Sequence, residues 1–234
     1  MTQPQFRFPA PLPTSESTNE IPKRFFRIWF GPKDIDKIHE SWWQDFQTMH
    51  PTYDFLTFTD WSTIKIPDTI IPILKNIRTW AGESDVARML VLYQIGGIYI
   101  DTDVMPLRPF DDLVKDGRPF LARRSGISFE IAVIGSPKGH PAFLECIKRL
   151  PEWFYAHPGR AASVQTGPAF FSSVLFGRMD INHLTPKTFY PYNGFLSPKR
   201  DIKVEMFSDT KNFPSDMICA HFSNSRWGGK GKVK

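Results

Sequence analysis

The chain has 234 residues, 41% hydrophobic and 15% aromatic, with a formal net charge of +5, which fits one globular domain and excludes a disordered or fibrous chain. No run approaches the roughly 18 consecutive apolar residues of a membrane span, and the opening MTQPQFRFPAPLPT lacks the apolar stretch of a secretion signal. The basic balance suits anionic ligands or an anionic membrane surface, and no zinc-finger spacing or RNP-like motif points to nucleic acid.

Residues 1–20 are rich in Pro, Ser, Thr and Glu without periodicity and read as a flexible arm, so one domain is expected over 21–234. Phe25–Phe30 is an aromatic run closed by Gly31-Pro32, a buried strand and then a turn. Apolar residues at helical spacing (Ile35, Ile38, Trp42, Phe46, Met49) predict a helix over 35–49, and Tyr53–Phe58 alternates as a second strand. A helix over Ser84–Ile95, with Ser84 as its cap, ends at Gly96-Gly97. Ile98–Ile100 is a short strand.

Pro119–Ala122 and Ile131–Gly135 are further strands, and helices are expected over Pro141–Tyr155 and Pro168–Leu175. Beyond Gly177 the pattern weakens to short segments at Thr188–Tyr190, Val204–Phe207 and Ile218–Phe222. Strands alternating with helices predict an α/β fold with a mainly parallel sheet. Cys146 and Cys219 lie far apart in apolar surroundings and read as two buried thiols.

The stretch GGIYIDTDV raises the functional question. Asp101 and Asp103, at i and i+2 of a strand end, share one face roughly 7 Å apart. Two like charges held so need water or a cation beside them. At the carboxyl end of a strand in an open α/β sheet, where ligands bind, a hard divalent cation would neutralise them; the alternative is a solvated strand end. Asp85 and Arg88 are three apart on one helix face, either a surface ion pair or contacts to sugar and phosphate oxygens. His221, Ser225 and Trp227 fall in ICAHFSNSRWGG, a polar segment after an apolar strand. GGKGKVK lacks the Ser or Thr of a phosphate-binding loop, and GxSxG, HExxH and GxGxxG are absent.

Taken together, IPKRFFRIWFG, SDVARMLVLYQIGGIYIDTDV, GSPKGHPAF, TGP at 166–168 and HFSNSRW resemble glycosyltransferase family 32, and distantly the glucosylating domain of large clostridial toxins. The resemblance spans about Ile21 to Trp227 and is most specific in the central stretch. It implies a GT-A fold with a mixed, mostly parallel sheet, a nucleoside-diphosphate-sugar donor, Mn²⁺ or Mg²⁺, and transfer with retention. Carried over, Asp103 matches the direct metal ligand, Asp101 the carboxylate on ribose and metal-bound water, and His221 a metal or diphosphate ligand. Ser84, Asp85 and Arg88 match donor contacts, and Trp29 an aromatic that stacks on the nucleobase. Ser225 and Trp227 look like donors to the diphosphate and leaving oxygen. The catalytic group would thus be Asp85, Arg88, Asp103 and Trp227.

Two positions depart from the pattern: Phe26 stands where relatives often carry His, and Ile131 where they often carry Asn, leaving Glu130 as the polar group on the acceptor side. The resemblance implies a UDP-sugar donor, with a GDP-sugar second, and a glycan, lipid-linked or protein acceptor. Polysaccharide synthesis by a cytoplasmic protein, with peripheral membrane association, is the simplest setting. Two other readings share the carboxylates: a metal-dependent nucleotidyltransferase and a non-catalytic nucleotide- or carbohydrate-binding module. A haloacid-dehalogenase-like phosphatase fits less well, because Met105 stands where its motif wants Thr or Val.

Overall fold

The structure, a computed structural model, describes residues 19–125, 128–190 and 213–222. Strand β1 (Arg24–Ile28) and helix α1 (Lys37–Met49) lead to β2 (Asp54–Phe58), the short α2 (Ile71–Asn76) and the long α3 (Trp80–Ile95). Next come β3 (Gly97–Ile100), β4 (Val104–Pro106), α4 (Asp111–Lys115), β5 (Phe120–Ser125) and β6 (Ser128–Ser136). Helices α5 (Pro141–Ala156), α6 (Ala162–Gln165) and α7 (Pro168–Leu175) precede β7 (Asn182–Leu184), a 3₁₀ turn at Pro186–Thr188 and β8 (Cys219–His221). The segment at Thr188–Tyr190 is therefore not a strand, and Val204–Phe207 lies outside the described residues.

Six strands form one sheet in the order β2-β1-β3-β6-β5-β7, and β4 pairs with β8 in a separate two-stranded ribbon. In the large sheet β1/β2, β1/β3 and β5/β7 are parallel, while β6 runs antiparallel to β3 and β5. The carboxyl ends of β1, β3 and β5 thus share one edge with the amino end of β6.

Side chains alternate across this sheet as the pleat requires. Phe25, Ile98 and Ile100 join a cluster with Trp43 and Phe46 of α1. Phe26, Ile28 and Tyr99 join the larger cluster with α3, α5 and α7. Phe25 anchors the first, its ring 5.2–5.4 Å from those of Phe46, Tyr53, Phe55 and Phe110. Buried His50 ties α1 to the residue before α4, with Nδ1 against the Phe46 carbonyl and Nε2 accepting from the Phe110 N–H. That geometry requires the neutral ring, and burial lowers its pKa accordingly. Phe26, where relatives often carry His, is a fully buried packing residue.

Helix α3 differs from expectation in a way that matters. It begins at Trp80, and its cap is Thr79, whose hydroxyl accepts from the Gly82 N–H at 3.1 Å. Ser84 is therefore inside the helix rather than its cap, and every residue from Gly82 to Leu92 is buried. At its other end Gly96 and Gly97 turn the chain into β3 with φ of 66° and 105°. A Cβ at Gly96 would come within 2.6 Å of the Lys138 N, and one at Gly97 within 2.8 Å of the Arg24 carbonyl. Only glycine fits both the dihedral and the space. Cys146 and Cys219 are free and buried, as read from their surroundings. Among the described residues no helix is long and apolar enough to cross a membrane.

Candidate active site

Alternation along β3 turns Tyr99 and Asp101 to the same face, the face covered by α3. There Arg88 meets them, with Nη2 donating to the Tyr99 hydroxyl at 2.9 Å and to Asp101 Oδ1 at 3.0 Å. Its Nη1 donates to the Ile131 carbonyl at 2.8 Å, tying α3 to β6. The Tyr99 hydroxyl donates to the same Asp101 oxygen. Asp85 Oδ1 lies 3.5 Å from Arg88 Nη2, and its Oδ2 accepts from the Thr166 hydroxyl at 3.0 Å. Asp85 and Arg88 therefore form no surface ion pair: they are 7% and 4% exposed. In a buried network of this kind, removing one partner strands a charge at a cost of about 3–5 kcal/mol.

The second carboxylate is reached from the far end of the chain. Strand β4 starts immediately after Asp103 and pairs antiparallel with β8, with Val104 opposite His221. The Phe222 N–H donates to the Asp103 carbonyl at 2.9 Å. This ribbon brings His221 Nε2 to 3.3 Å from Asp103 Oδ1 and 3.9 Å from Asp101 Oδ2. One ligand atom from each of Asp101, Asp103 and His221 lies within 4.8 Å of the others. Two carboxylates and an imidazole form a donor set for a divalent cation.

The electrostatics bear the same stamp. Burial works to lower the His221 pKa, but Asp103, Asp101 and Glu130 outweigh it and hold the ring up at about 9. The carboxylate cluster thus binds a proton where a cation would sit. Burial raises Glu130, against the pull of His221 and of Arg124, whose Nε is 3.2 Å away. Asp85 is pushed up to about 7 by burial, with Arg88 opposing. Burial also works against the charge on Arg88, and Tyr99, Asp101 and Asp85 together overcome it, so the guanidinium stays charged.

Ser84, Asp85, Arg88, Asp101, Asp103 and His221 all line one cavity of about 220 Å³. Glu130 and Ile131 form its opposite wall, so the position where Asn was expected contributes a backbone carbonyl instead. Trp29 lies one residue beyond β1 at the same sheet edge, with its indole N–H donating to the Lys33 carbonyl at 2.5 Å. It is not part of this cavity's lining, although its neighbour Ile28 is. Ser225 and Trp227 lie outside the described residues.

Sequence reasoning passed over three residues of this neighbourhood and gave a fourth only a minor part. Tyr99 was legible in principle, sharing Asp101's strand parity. Thr166 sat unexplained within the TGP stretch. The part of Tyr190, 5.8 Å ring to ring from His221, had no local signal. Glu130 was noted only as an acceptor-side polar group. Among the described residues, three buried donors around the site have no hydrogen-bond partner: Ser84 Oγ, Arg88 Nε and the Tyr190 hydroxyl. An unpartnered buried polar group costs about 1–3 kcal/mol, so these three atoms are ones that acceptors on a ligand in the cavity would satisfy.

With this geometry in view, residues 32–119 match the model of the glycosyltransferase sugar-binding region containing a DXD motif. Residues 32–119 belong to the DXD glycosyltransferase family. That span holds Ser84, Asp85, Arg88 and the DXD carboxylates, and stops short of Glu130, Thr166 and His221. The chain is 32% identical over 172 residues to inositol phosphoceramide mannosyltransferase 3 of Schizosaccharomyces pombe, covering 68% of this chain and 46% of that protein. It is 32% identical over 152 residues to a mannosyl phosphorylinositol ceramide synthase of Saccharomyces cerevisiae, covering 58% of this chain and 39% of the relative. The chain thus spans less than half the length of these curated relatives. Among solved structures, the PaToxG glycosyltransferase superposes with a TM-score of 0.52 at 19% identity, over 67% of this chain and 69% of that one. That likeness fixes the fold as GT-A type, and the family is one of transferase enzymes.

Proposed function

We propose that this chain is a metal-dependent glycosyltransferase that moves a hexosyl group from a nucleoside-diphosphate sugar to a hydroxyl of a lipid-linked or glycan acceptor. The observation that carries this reading is one cavity lined by Arg88, by Ser84, whose hydroxyl has no partner among the described residues, and by the Asp101–Asp103–His221 set. Cationic and hydroxyl donors suit a diphosphate, and Asp85 beside them suits the hydroxyls of a sugar. A divalent cation on Asp101, Asp103 and His221 would supply positive charge where the diphosphate departs.

The chain's own residues supply the rest. Arg88 is fixed by Tyr99, Asp101 and the Ile131 carbonyl, so its charge is preorganised rather than mobile, and such preorganisation is worth most in a water-poor cleft. Asp85 orients the donor sugar. In the transfer, the bond between the anomeric carbon and the diphosphate oxygen breaks with its electron pair going to the diphosphate. The acceptor oxygen then bonds to that carbon on the vacated face, and its proton passes to the departing diphosphate. Glu130, whose pKa is raised, faces the acceptor side as a hydrogen-bonding partner for the incoming hydroxyl. Ser225 and Trp227 join the diphosphate contacts in this reading.

The mannosyl names of the relatives favour mannose as the transferred sugar, and with it GDP as carrier ahead of UDP. Their names also favour an acceptor carrying an inositol phosphate group. The test is turnover of GDP-mannose and of UDP-hexoses with Mn²⁺, read as release of nucleoside diphosphate. Release that is lost in Asp103→Ala supports the proposal. Pyrophosphate formed from a nucleoside triphosphate, without release of a nucleoside diphosphate from any sugar donor, would turn it to the nucleotidyltransferase reading.

A further inference from the structure

A second cavity of about 330 Å³ is lined by residues of α6, the start of α3 and the end of α5. It is larger than the one that holds the carboxylates, so chemistry and not size distinguishes the two. Its lining residues include two arginines, Arg78 and Arg160, and no acidic residue. Both arginines are exposed, and among the described residues neither forms an ion pair. Tyr155, 55% exposed, and Phe154 give the same cavity an aromatic wall. The volume falls within the roughly 300–1,000 Å³ of small-ligand sites.

The two cavities share structure. Ala162 of α6 lines both. Thr166 forms part of the second cavity's lining, and its hydroxyl holds Asp85 Oδ2, which lines the first. A Cβ at Gly167 would come within 3.0 Å of that same Asp85 oxygen, and one at Gly82 within 2.9 Å of Ile77. Glycine at 167 lets the chain after α6 sit against Asp85, and glycine at 82 lets α3 sit against Ile77. A ligand filling the second cavity therefore touches a residue that positions a donor-sugar contact.

We infer that the second cavity is a binding subsite for a phosphate-bearing polyol or sugar, gripped through its phosphate by Arg78 and Arg160. Guanidinium forks match phosphate oxygens in pairs, and the Tyr155 ring offers a face to the polyol. The subsite is separate from the cavity where Glu130 faces the acceptor, so the inference goes beyond the transferase reading and does not rest on it. The same chemistry is presented by a free phosphopolyol and by a lipid headgroup.

The test uses myo-inositol 1-phosphate as probe, with myo-inositol and inorganic phosphate for comparison. Calorimetric titration is run on the intact chain and on the Arg78→Ala/Arg160→Ala double variant, with and without Mn²⁺ and GDP. Binding of inositol phosphate that weakens at least tenfold in the double variant is expected, together with no measurable binding of myo-inositol and unchanged binding of Mn²⁺–GDP. The Arg78→Lys/Arg160→Lys variant, which keeps the charge but not the fork, is expected to fall between. Cosedimentation with phosphatidylinositol or phosphatidylcholine vesicles separates the sources. Arginine-dependent binding to phosphatidylinositol vesicles without binding of the soluble probe assigns a lipid headgroup, and the converse assigns a free phosphopolyol. Equal affinity in wild type and double variant overturns the inference, as does failure of wild type to bind either form, or loss of Mn²⁺–GDP binding along with the probe. If neither GDP nor UDP binds with Mn²⁺ while the arginine-dependent binding remains, the transferase reading falls and the subsite stands.

Discussion

Asp101 is tied through one oxygen to Arg88 and Tyr99, whereas Asp103 is the carboxylate nearer His221, 3.3 Å against 3.9 Å, and forms with that ring the side of the cluster away from the arginine. Asp103→Ala is therefore expected to weaken Mn²⁺-dependent nucleotide binding on the order of 100-fold, about 2.7 kcal/mol, with the thermal midpoint kept. Ser84 is a sharper case, because its hydroxyl is buried and has no partner among the described residues. Ser84→Ala removes an unsatisfied polar atom from the unliganded protein, so stability to denaturant should stay level or rise while the KM for the sugar donor rises several-fold. A drop in stability with unchanged KM would mean that the hydroxyl serves packing. Asp85 gives the pH dependence. Its pKa is raised by burial from 3.8 to about 7, so it favours folding when protonated. The stability it contributes is fully present below about pH 4 and is lost as pH rises through about 7. Asp85→Asn should therefore gain on wild type in thermal midpoint between pH 4 and 8, and a pH-independent difference would contradict this assignment.

Helix α3 carries Ser84, Asp85 and Arg88 and is buried along its whole middle, which explains both what was legible in the sequence and what was not. Its broad apolar composition and the Gly96-Gly97 stop were readable from local propensity. Its start was not, because Thr79 caps it from a position that no apolar periodicity marks. Whether Asp85 and Arg88 lay on the surface was equally closed to local reasoning, since their spacing is the same in both cases. Burial of the pair follows from α5, α6 and the sheet closing over α3, contacts between residues far apart in sequence. The strand ends were read short at the end of β5 and at both ends of β6, and one or two residues long at β1, β2 and β8. The antiparallel course of β6 was not legible, because alternation does not encode strand direction. The link from α3 to β3 is where backbone chemistry is least forgiving. Gly97→Ala meets a left-handed φ of 105° and a carbonyl at 2.8 Å, and is expected to cost about 1–3 kcal/mol, the range for such strained positions. Urea denaturation measures it, and a cost below 0.5 kcal/mol would show that the β1–β3 contact can relax.

At the scale of the molecule, the site exists because the sheet and the β4–β8 ribbon bring one edge together from residues between 84 and 221. The central SD–R–DxD stretch was visible as a unit in the sequence and lies within the family match. His221 was singled out from its polar context and the family likeness, and the structure delivers it through the register of Val104 with His221. Thr166 and Tyr190 were missed because their roles are tertiary: each acquires meaning only from a neighbour dozens of residues away. The central claim is that this edge binds a nucleoside diphosphate through a divalent cation. Calorimetric titration of the intact chain with GDP and with UDP, each with and without Mn²⁺, tests it most directly. The account predicts that one nucleotide, GDP in preference, binds at least tenfold more tightly with Mn²⁺ than without; binding of neither nucleotide, or binding indifferent to Mn²⁺, would contradict it.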